Sequence, residues 1–470
     1  MLRALLALAF TGIALGTALP VQAQVQIMPA GRLSGSYVAP SGYPRVFETR
    51  AKALEFLAAA RTDPAKAMVL SRLAGSVKIM LPTAANYERP YTGCDIAVYT
   101  KQFSTAPMGA AVAADRFALY AYLTSLDQGF GDAGLAAAAQ TAAETIMGAW
   151  AQASFKIGGT TTTSHTAFCS AAPTPLPGVW ASVGLQIGRG MVEFTNAVDL
   201  LHGMNAPASF FSVMDPFIAR MLNLEIGAAN QHYSYATTGC GQYDNQASMQ
   251  QLAMAVMARY AGRSDVIEAL AGVRPGLLAW SFPQQVEGNI YGSNDMPRTC
   301  AAATFNRPGL FRQSTVVAPG EIVDRYRAEP YQPFGYTLGS LTTLELVAKI
   351  MQKSGYHVQD YVGSKGQSLQ GALDYYSWYI TTFLSSDAVH IPDSGYSYPD
   401  FSQYAGDAFT RGGGASIENK DDLETPYLLG TTLYPADAKI SGVLARTRTL
   451  AGAEHKVPFS GLSALFVSAW

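Results

Sequence analysis

Charged side chains are scarce in this chain: Asp, Glu, Lys and Arg make up 14% of its 470 residues, and the formal net charge is −2. A nucleic-acid-binding protein normally carries a basic surplus, so we expect no nucleic-acid partner. The sequence contains no Gly-rich phosphate loop, GxSxG elbow or CxxCH motif, which disfavours nucleotide and haem cofactors. Its six histidines form no HxH or HExxH pair. We therefore expect neither a metal nor a cofactor.

Long apolar runs are missing after the N-terminus. Met1-Leu2-Arg3 is basic, residues 4–19 are almost entirely apolar, and Val21-Gln22-Ala23 fits the small-residue rule of signal peptidase. No later stretch reaches roughly 18 uninterrupted apolar residues, so we expect no membrane insertion. Residues 1–23 are therefore predicted to be a signal peptide, and the mature protein is expected to be periplasmic or secreted.

Cysteines are few, and their number is even. Cys94, Cys169, Cys240 and Cys300 allow two disulfides in an oxidising compartment, with three possible pairings. Their wide spacing excludes a zinc-ribbon pattern. Structural disulfides are favoured over free thiols, and a Cys240–Cys300 pair is preferred because both cysteines lie in polar segments.

Apolar residues recur at helical spacing along most of the chain, whereas strand-like alternation is poor. The pattern predicts an all-α fold, an (α/α) toroid of antiparallel helix pairs, as one domain over residues 24–470 with an irregular C-terminal tail. An irregular helical enzyme with a small β appendage is the strongest competitor. The predicted helices are 50–60, 64–81, 110–126, 134–155, 184–201, 209–226, 247–261, 265–278, 338–355, 368–384, 423–429 and 443–450, with a candidate strand at 459–470.

Polar and aromatic side chains are concentrated in a few segments between the helices. One is "AANQHYSYATTGCGQYDNQ" (228–246), a second is "EGNIYGSNDMPRTCAAATF" (287–305), and a third is "VDRYRAEPYQPFGYTLGSL" (323–341). Loops rich in Arg, Tyr, His and Asn on a helical scaffold are typical of binding clefts. The sequence therefore predicts that these segments share a polar groove.

The same segments resemble the alginate-lyase family of uronate polysaccharide lyases. "ANQH" followed by "ASMQQLAMAVMARYAGRSD" is similar to the family's Asn-Asn-His motif and the helix after it, with Gln231 in place of the second Asn. "AADRFALYAYLTSL", "GLQIGRGMVEFTNAVDLL", "YGSNDMPR" and "FGYTLGSLTTLELVAKI" resemble further family elements in the right order. The resemblance runs from about residue 51 to residue 384. It implies a toroid fold and cleavage of an acidic polysaccharide.

The implied reaction is β-elimination on a β-1,4-linked uronan, either alginate (polymannuronate) or glucuronan. Asn230, Gln231 and Arg298 would neutralise the substrate carboxylate while charge builds up on it. His232 would be the base that removes the C5 proton. The family tyrosine is absent from its usual place after the arginine, so Tyr291, Tyr336 or Tyr331 would supply the acid, with Tyr291 preferred and Tyr336 next.

Other polar groups would bind neighbouring sugars, since aromatic rings stack on sugar faces and cations pair with uronate carboxylates. The oligomeric state is left open. The predicted substrate-binding residues are Asn86, Tyr87, Arg89, Tyr91, Lys101, Tyr235, Arg327 and Tyr331.

Two other functions fit the sequence. A glycoside hydrolase on a helical toroid would need two carboxylates around the scissile bond, and Asp244, Glu287 and Asp295 could provide them. A non-catalytic glycan-binding protein of the cell envelope could use the same loops without turnover.

Overall fold

Helices dominate the part of the chain that the computed structural model describes. That part comprises residues 33, 35–47, 49–91, 96–104, 109–154, 177–204, 206–235, 242–296, 317–326, 333–385, 388–390, 416–417 and 420–449. The predicted signal peptide, the four cysteines and the candidate strand at 459–470 lie outside it. The predicted domain limits and disulfides therefore stay predictions.

Fourteen α-helices are present in this part of the chain. They are α1 (Arg50–Ala60), α2 (Pro64–Met80), α3 (Ile96–Phe103), α4 (Ala110–Leu126), α5 (Ala133–Ser154), α6 (Pro177–Gly203), α7 (Ala208–Tyr235), α8 (Asn245–Ala261), α9 (Ser264–Ala271), α10 (Phe282–Asn289), α11 (Pro333–Lys353), α12 (Leu369–Phe383), α13 (Lys420–Leu433) and α14 (Ala438–Thr449). Short 3₁₀ helices cover Leu81–Asn86, Val323–Tyr326 and Val358–Asp360.

Successive helices form two layers. In one layer α4, α6, α8, α11 and α13 each pack against the next, while α5, α7, α12 and α14 pack behind them. The loops between α4 and α5 and between α6 and α7 are short, so the members of these pairs run antiparallel. The predicted all-α toroid of helix pairs is confirmed. A small antiparallel sheet, β1 (Leu384–Ser385), β2 (Ala388–His390) and β3 (Ser416–Ile417), accompanies it.

The buried core explains why the inner layer is so rich in alanine. In α4 every residue from Ala110 to Thr124 is buried, and α8 is buried from Ala247 to Tyr260. Small side chains let such helices approach closely on all sides, and a helix that is apolar all round belongs inside a larger fold. The inner helices therefore hold the side chains near the cleft in fixed positions.

Local signals set several helix ends. Asp244 caps α8 because its Oδ1 accepts hydrogen bonds from the backbone N–H groups of Gln246 and Ala247, both at 3.0 Å. Gly272, with φ of 81°, ends α9 in the left-handed conformation that glycine adopts without strain. The predicted helix 265–278 is therefore too long at its C-terminus.

Candidate active site

The Asn-Gln-His motif lies inside the last turns of α7 and not in a loop. α7 runs through Pro216 and ends at Tyr235, nine residues beyond the predicted helix end at Ile226. Helical geometry fixes the direction of the three motif side chains more tightly than a loop would. Asn230, Gln231 and His232 consequently point to different sides of the helix, at about 100° per residue.

Asn230 supports a neighbouring loop. Its Nδ2 donates to the carbonyl oxygen of Leu277 at 2.9 Å, and its Oδ1 accepts from the backbone N–H of Ala279 at 2.7 Å. Both ends of the amide are therefore used by the protein itself. Asn230 therefore has a structural role here, and since Nδ2 carries a second hydrogen, its expected role in binding a substrate carboxylate stays a prediction.

Gln231 differs from Asn230 in having an uncommitted amide. Its side chain is half-buried, and within the described part of the chain it forms no hydrogen bond. An amide in that state is available to a ligand. Of the two amides expected to bind the carboxylate, Gln231 is the one that the geometry leaves free to do so.

His232 is held by a partner on α8. The residue is only 3% exposed, and its Nδ1 lies 3.2 Å from Oε1 of Gln250. Gln250 is fully buried. The ring is thus fixed through one nitrogen, while Nε2 has no hydrogen-bond partner in the described structure.

Aromatic residues flank this end of α7. The ring of Tyr233 stacks on that of Trp280, with centroids 5.4 Å apart and planes 10° from parallel. The hydroxyl groups of Tyr233 and Tyr243 lie 2.9 Å apart. These contacts tie α7 to the segments before α8 and α10, and they make the surroundings of His232 rigid.

Arg189 was not predicted as a site residue, yet it has the features of one. It lies on α6 between Gly188 and Gly190 and is exposed to solvent. Desolvation by the surrounding protein nevertheless lowers the pKa of Arg189, and nearby Tyr336 opposes that shift. The guanidinium of Arg189 is thus open to solvent and at the same time partly desolvated by neighbouring protein.

The neighbour of Arg189 belongs to another inner helix. Tyr336 lies in the first turn of α11 and is half-buried. α8 packs between α6 and α11, so Arg189 and Tyr336 lie on the two helices that flank α8. The signal that could have found Arg189 is its position between two glycines as the one Lys or Arg residue of α6.

Glu225, on α7, is a buried acid that packs against α6. Glu225 is fully buried, neither of its carboxyl oxygens has a hydrogen-bond partner, and desolvation raises the pKa of this carboxyl well above its usual range. A Cβ added at Gly188 would lie 3.4 Å from Oε1 of Glu225. Glu225 therefore lies against the α6 backbone next to Arg189, and its burial favours the protonated form of the carboxyl.

Tyr291 does not lie where the sequence suggested. It is fully buried, and its backbone pairs with a distant segment: its N–H donates to the carbonyl of Glu321 at 2.9 Å, and its own carbonyl accepts from Gly320 at 2.8 Å. A phenol without exposed surface cannot touch a polysaccharide. Burial thus counts against Tyr291, the preferred acid, whereas Tyr336, the second choice, is half-buried.

The remaining predicted residues divide into three groups. Asn86, Arg89 and Lys101 are exposed and Tyr91 is half-buried, as binding residues would be, whereas Tyr87 is buried. Tyr235 ends α7, and its side chain is not described. Arg298, Arg327 and Tyr331 lie outside the described residues, as do Cys94, Cys169, Cys240 and Cys300.

Two other kinds of feature are absent from the described residues. In those residues no three His, Cys, Asp or Glu side chains come together as a possible metal site. None of their helices is long and apolar enough to cross a membrane.

Comparison with known proteins gives a structural match only. No model of a protein family matches the sequence, and no curated protein matches it. Among solved structures, the chain is similar to an alginate lyase from Bacteroides ovatus. The two share 12% sequence identity with a TM-score of 0.46, over 90% of this chain and 99% of that one.

Proposed function

We propose that this protein is a polysaccharide lyase that cleaves a β-1,4-linked uronan by β-elimination. The observation that carries the proposal is Arg189 of α6, an exposed cation that the surrounding protein partly desolvates and that lies within electrostatic reach of Tyr336 on α11. A cation that solvent can reach in protein surroundings suits an anionic ligand, because electrostatic attraction is stronger where water is partly excluded. The adjacent tyrosine adds a group that can transfer a proton.

The difficult step is removal of the C5 proton, which leaves negative charge on the uronate carboxylate. Arg189 would stabilise that charge with its guanidinium, which can hold a carboxylate through two parallel hydrogen bonds. Gln231 would donate from its uncommitted amide. Arg298, which the sequence analysis placed in this role, remains a prediction.

His232 would accept the C5 proton at Nε2, and Tyr336 would donate to the leaving oxygen on C4. The electron pair of the C5–H bond becomes the C4–C5 double bond as the C4–O bond breaks. Arg189 stabilises the phenolate that Tyr336 becomes, since a cation favours the charged form of a neighbouring acid. Transfer of the proton from His232 to Tyr336, directly or through water, restores both groups.

The glycoside-hydrolase alternative loses support because its three carboxylates have structural roles. Asp244 caps α8, and Glu287 accepts hydrogen bonds from the Tyr361 hydroxyl and the Ser364 backbone. Asp295 accepts from the backbone N–H of Gly292 and pairs with Lys365. A hydrolase needs one acid and one base or nucleophile facing the sugar, and these groups are already engaged.

Substrate and location follow from the same proposal. Arg89 and Lys101 are exposed cations that could pair with carboxylates of neighbouring sugar units, in polymannuronate or in glucuronan. The signal-like start of the chain supports activity in the periplasm or outside the cell.

A screen of uronans tests the proposal. Purified mature protein is incubated with polymannuronate, polyguluronate and glucuronan, and the ultraviolet absorbance of the unsaturated product is followed. We expect absorbance to rise with one of these uronans. The rate of that rise should be at least about 10²-fold lower in Arg189→Ala than in the wild type. Arg220→Ala is the matched control, because Arg220 is an exposed arginine on α7 whose Nε donates to the carbonyl of Pro216. Full activity in Arg189→Ala would overturn the site.

A further inference from the structure

Gln250 and His232 form a buried contact between two helices. Nδ1 of His232 lies 3.2 Å from Oε1 of Gln250, His232 is 3% exposed and Gln250 is fully buried. A carbonyl oxygen can only accept a hydrogen bond, so Nδ1 must carry the proton for this contact to be one. Nε2 then has a free lone pair.

A glycine on a third helix makes room for this contact. A Cβ at Gly184 of α6 would lie 2.2 Å from Nε2 and 2.8 Å from Cδ of Gln250. Both distances are well inside van der Waals contact, and the fully buried Gln250 has little space to retreat. Gly184 thus fixes the position of the amide that in turn holds His232.

We infer that Gln250 is a positioning residue that keeps His232 in the Nδ1–H tautomer, so that Nε2 is the basic nitrogen. This inference rests on the proposed function for its catalytic meaning. The amide partner is uncharged, so it orients the ring without the extra stabilisation of the imidazolium that a carboxylate would give. His232 therefore stays able to release the proton that it takes from C5.

The neighbouring residue provides a matched control. Gln251 follows Gln250 on α8 and is also fully buried, but neither end of its amide has a hydrogen-bond partner in the described structure. Replacing Gln251 by Leu removes no contact to His232. The same change at Gln250 removes the hydrogen bond and leaves a side chain of similar size.

The tautomer can be measured without any substrate. The protein is labelled with ¹⁵N-histidine, the ring signals are recorded by long-range ¹H–¹⁵N NMR, and His232→Asn assigns the signal among the six histidines. We expect the Nδ1–H pattern in the wild type and in Gln251→Leu. A mixture of tautomers is expected in Gln250→Leu and in Gly184→Ala. An Nε2–H pattern in the wild type would overturn the inference.

Kinetics separate positioning from a merely structural role. Gln250→Leu should lower kcat by on the order of 10²-fold with little change in KM, because the base is misdirected while the binding groups remain. Gln250→Glu should move the acid limb of the pH profile of kcat/KM to higher pH, since a carboxylate favours the protonated ring. An unchanged profile in Gln250→Glu would contradict the inference.

The two proposals fail in different ways. An Nδ1–H tautomer in a protein that cleaves no uronan would remove the lyase and leave the role of Gln250 in orienting His232. Uronan cleavage by a protein with the Nε2–H tautomer would remove the inference and leave the lyase.

Discussion

His202 and His232 lie at opposite ends of the packed helices α6, α7 and α8, and the protein uses them differently. The ring of His202 lies between two aromatic rings, with its centroid 4.0 Å from that of Tyr43 and 3.4 Å from that of Phe211. Its Nε2 is 3.7 Å from a carboxyl oxygen of Asp215. His232 instead has one neutral partner and no ring stacked on it among the described contacts. His202 therefore stabilises the fold, whereas His232 has a ring nitrogen that can take part in a reaction.

The surroundings of His202 form a clamp on the N-terminal segment 35–47. The backbone N–H groups of Arg45 and Val46 donate to Asp199, at 2.7 and 2.8 Å, and Arg259 donates to the carbonyl of Val38 at 2.8 Å. Burial would raise the pKa of Asp215, but His202 and a hydrogen bond from Tyr260 outweigh it and hold the pKa below its usual value. At this end, the charged side chains of Asp199, Asp215 and Arg259 are engaged in hydrogen bonds within the protein. At the other end, Arg189, Gln231 and Nε2 of His232 form no hydrogen bond within the described residues.

Removing each histidine in turn should give the largest difference between the two ends of the helices. His232→Ala should lower kcat by about 10² to 10⁴-fold, because general base catalysis is lost, while the melting temperature changes little. His202→Ala should leave kcat close to wild type and lower the melting temperature by several degrees, because two ring contacts are lost. Uronan cleavage and thermal unfolding are measured on both variants. Equal loss of activity in the two would contradict the distinction.

Asp199 gives the clamp a pH dependence. Burial raises its pKa to about 6 despite the hydrogen bonds from Val46 and Arg45. A carboxyl whose pKa is raised by folding stabilises the folded state while protonated, and this contribution is lost as pH rises from about 4 through about 6. The shift corresponds to about 3 kcal/mol. Between pH 4 and pH 7, the stability of Asp199→Asn should therefore rise relative to the wild type by about that amount. Urea unfolding at both pH values measures it, and parallel pH profiles would refute it.

Two buried glutamates outside the clamp should give stability the same direction of pH dependence as Asp199. Glu225 and Glu345 are both fully buried without hydrogen-bond partners, and desolvation raises both pKa values well above the usual range. Their contribution to stability is likewise lost as pH rises. Glu225→Gln and Glu345→Gln should each flatten the loss of stability that begins as pH rises above the ordinary glutamate pKa of 4.5, as followed by thermal unfolding. Only Glu225→Gln, next to the backbone of Gly188, should also alter kcat.

The smallest expected effect concerns Asn230. Asn230→Ala removes two hydrogen bonds to the loop 277–279 and should cost about 2 kcal/mol. Gln231→Ala removes no side-chain hydrogen bond among the described residues and should change stability little while raising KM. Urea unfolding and initial rates on the two variants distinguish the neighbours. A stable Asn230→Ala with a raised KM would return Asn230 to the binding role.

The helical framework could be predicted because it depends on local periodicity. α4 occupies the predicted residues, and α5 and α12 differ by one residue at each end. α3 and α10, each of 8 residues, were missed because short helices show too few repeats of the pattern. α7 extends past its predicted end because its last turns hold Asn230, whose bonds to a loop 47 and 49 residues away no local pattern reveals.

The residues of the site likewise divide into those that the sequence could predict and those that it could not. His232 and Tyr336 could be found because polar residues stand out beside apolar helices. The burial of Tyr291 could not be predicted because it follows from pairing with Gly320 and Glu321, about 30 residues further along the chain. Arg189 and Gln250 were missed because a polar residue inside an apolar helix shows its direction only when the neighbouring helices are in place.

Cleavage of the uronan that the enzyme accepts is carried out in ¹⁸O-labelled water, and the product masses are measured by mass spectrometry. This experiment distinguishes β-elimination from hydrolysis. β-Elimination breaks the C4–O bond without adding water, so we expect no heavy oxygen at either new chain end and one unsaturated end per cut. A heavy oxygen at the new reducing end, with no unsaturated product, would identify a hydrolase and contradict the proposed β-elimination.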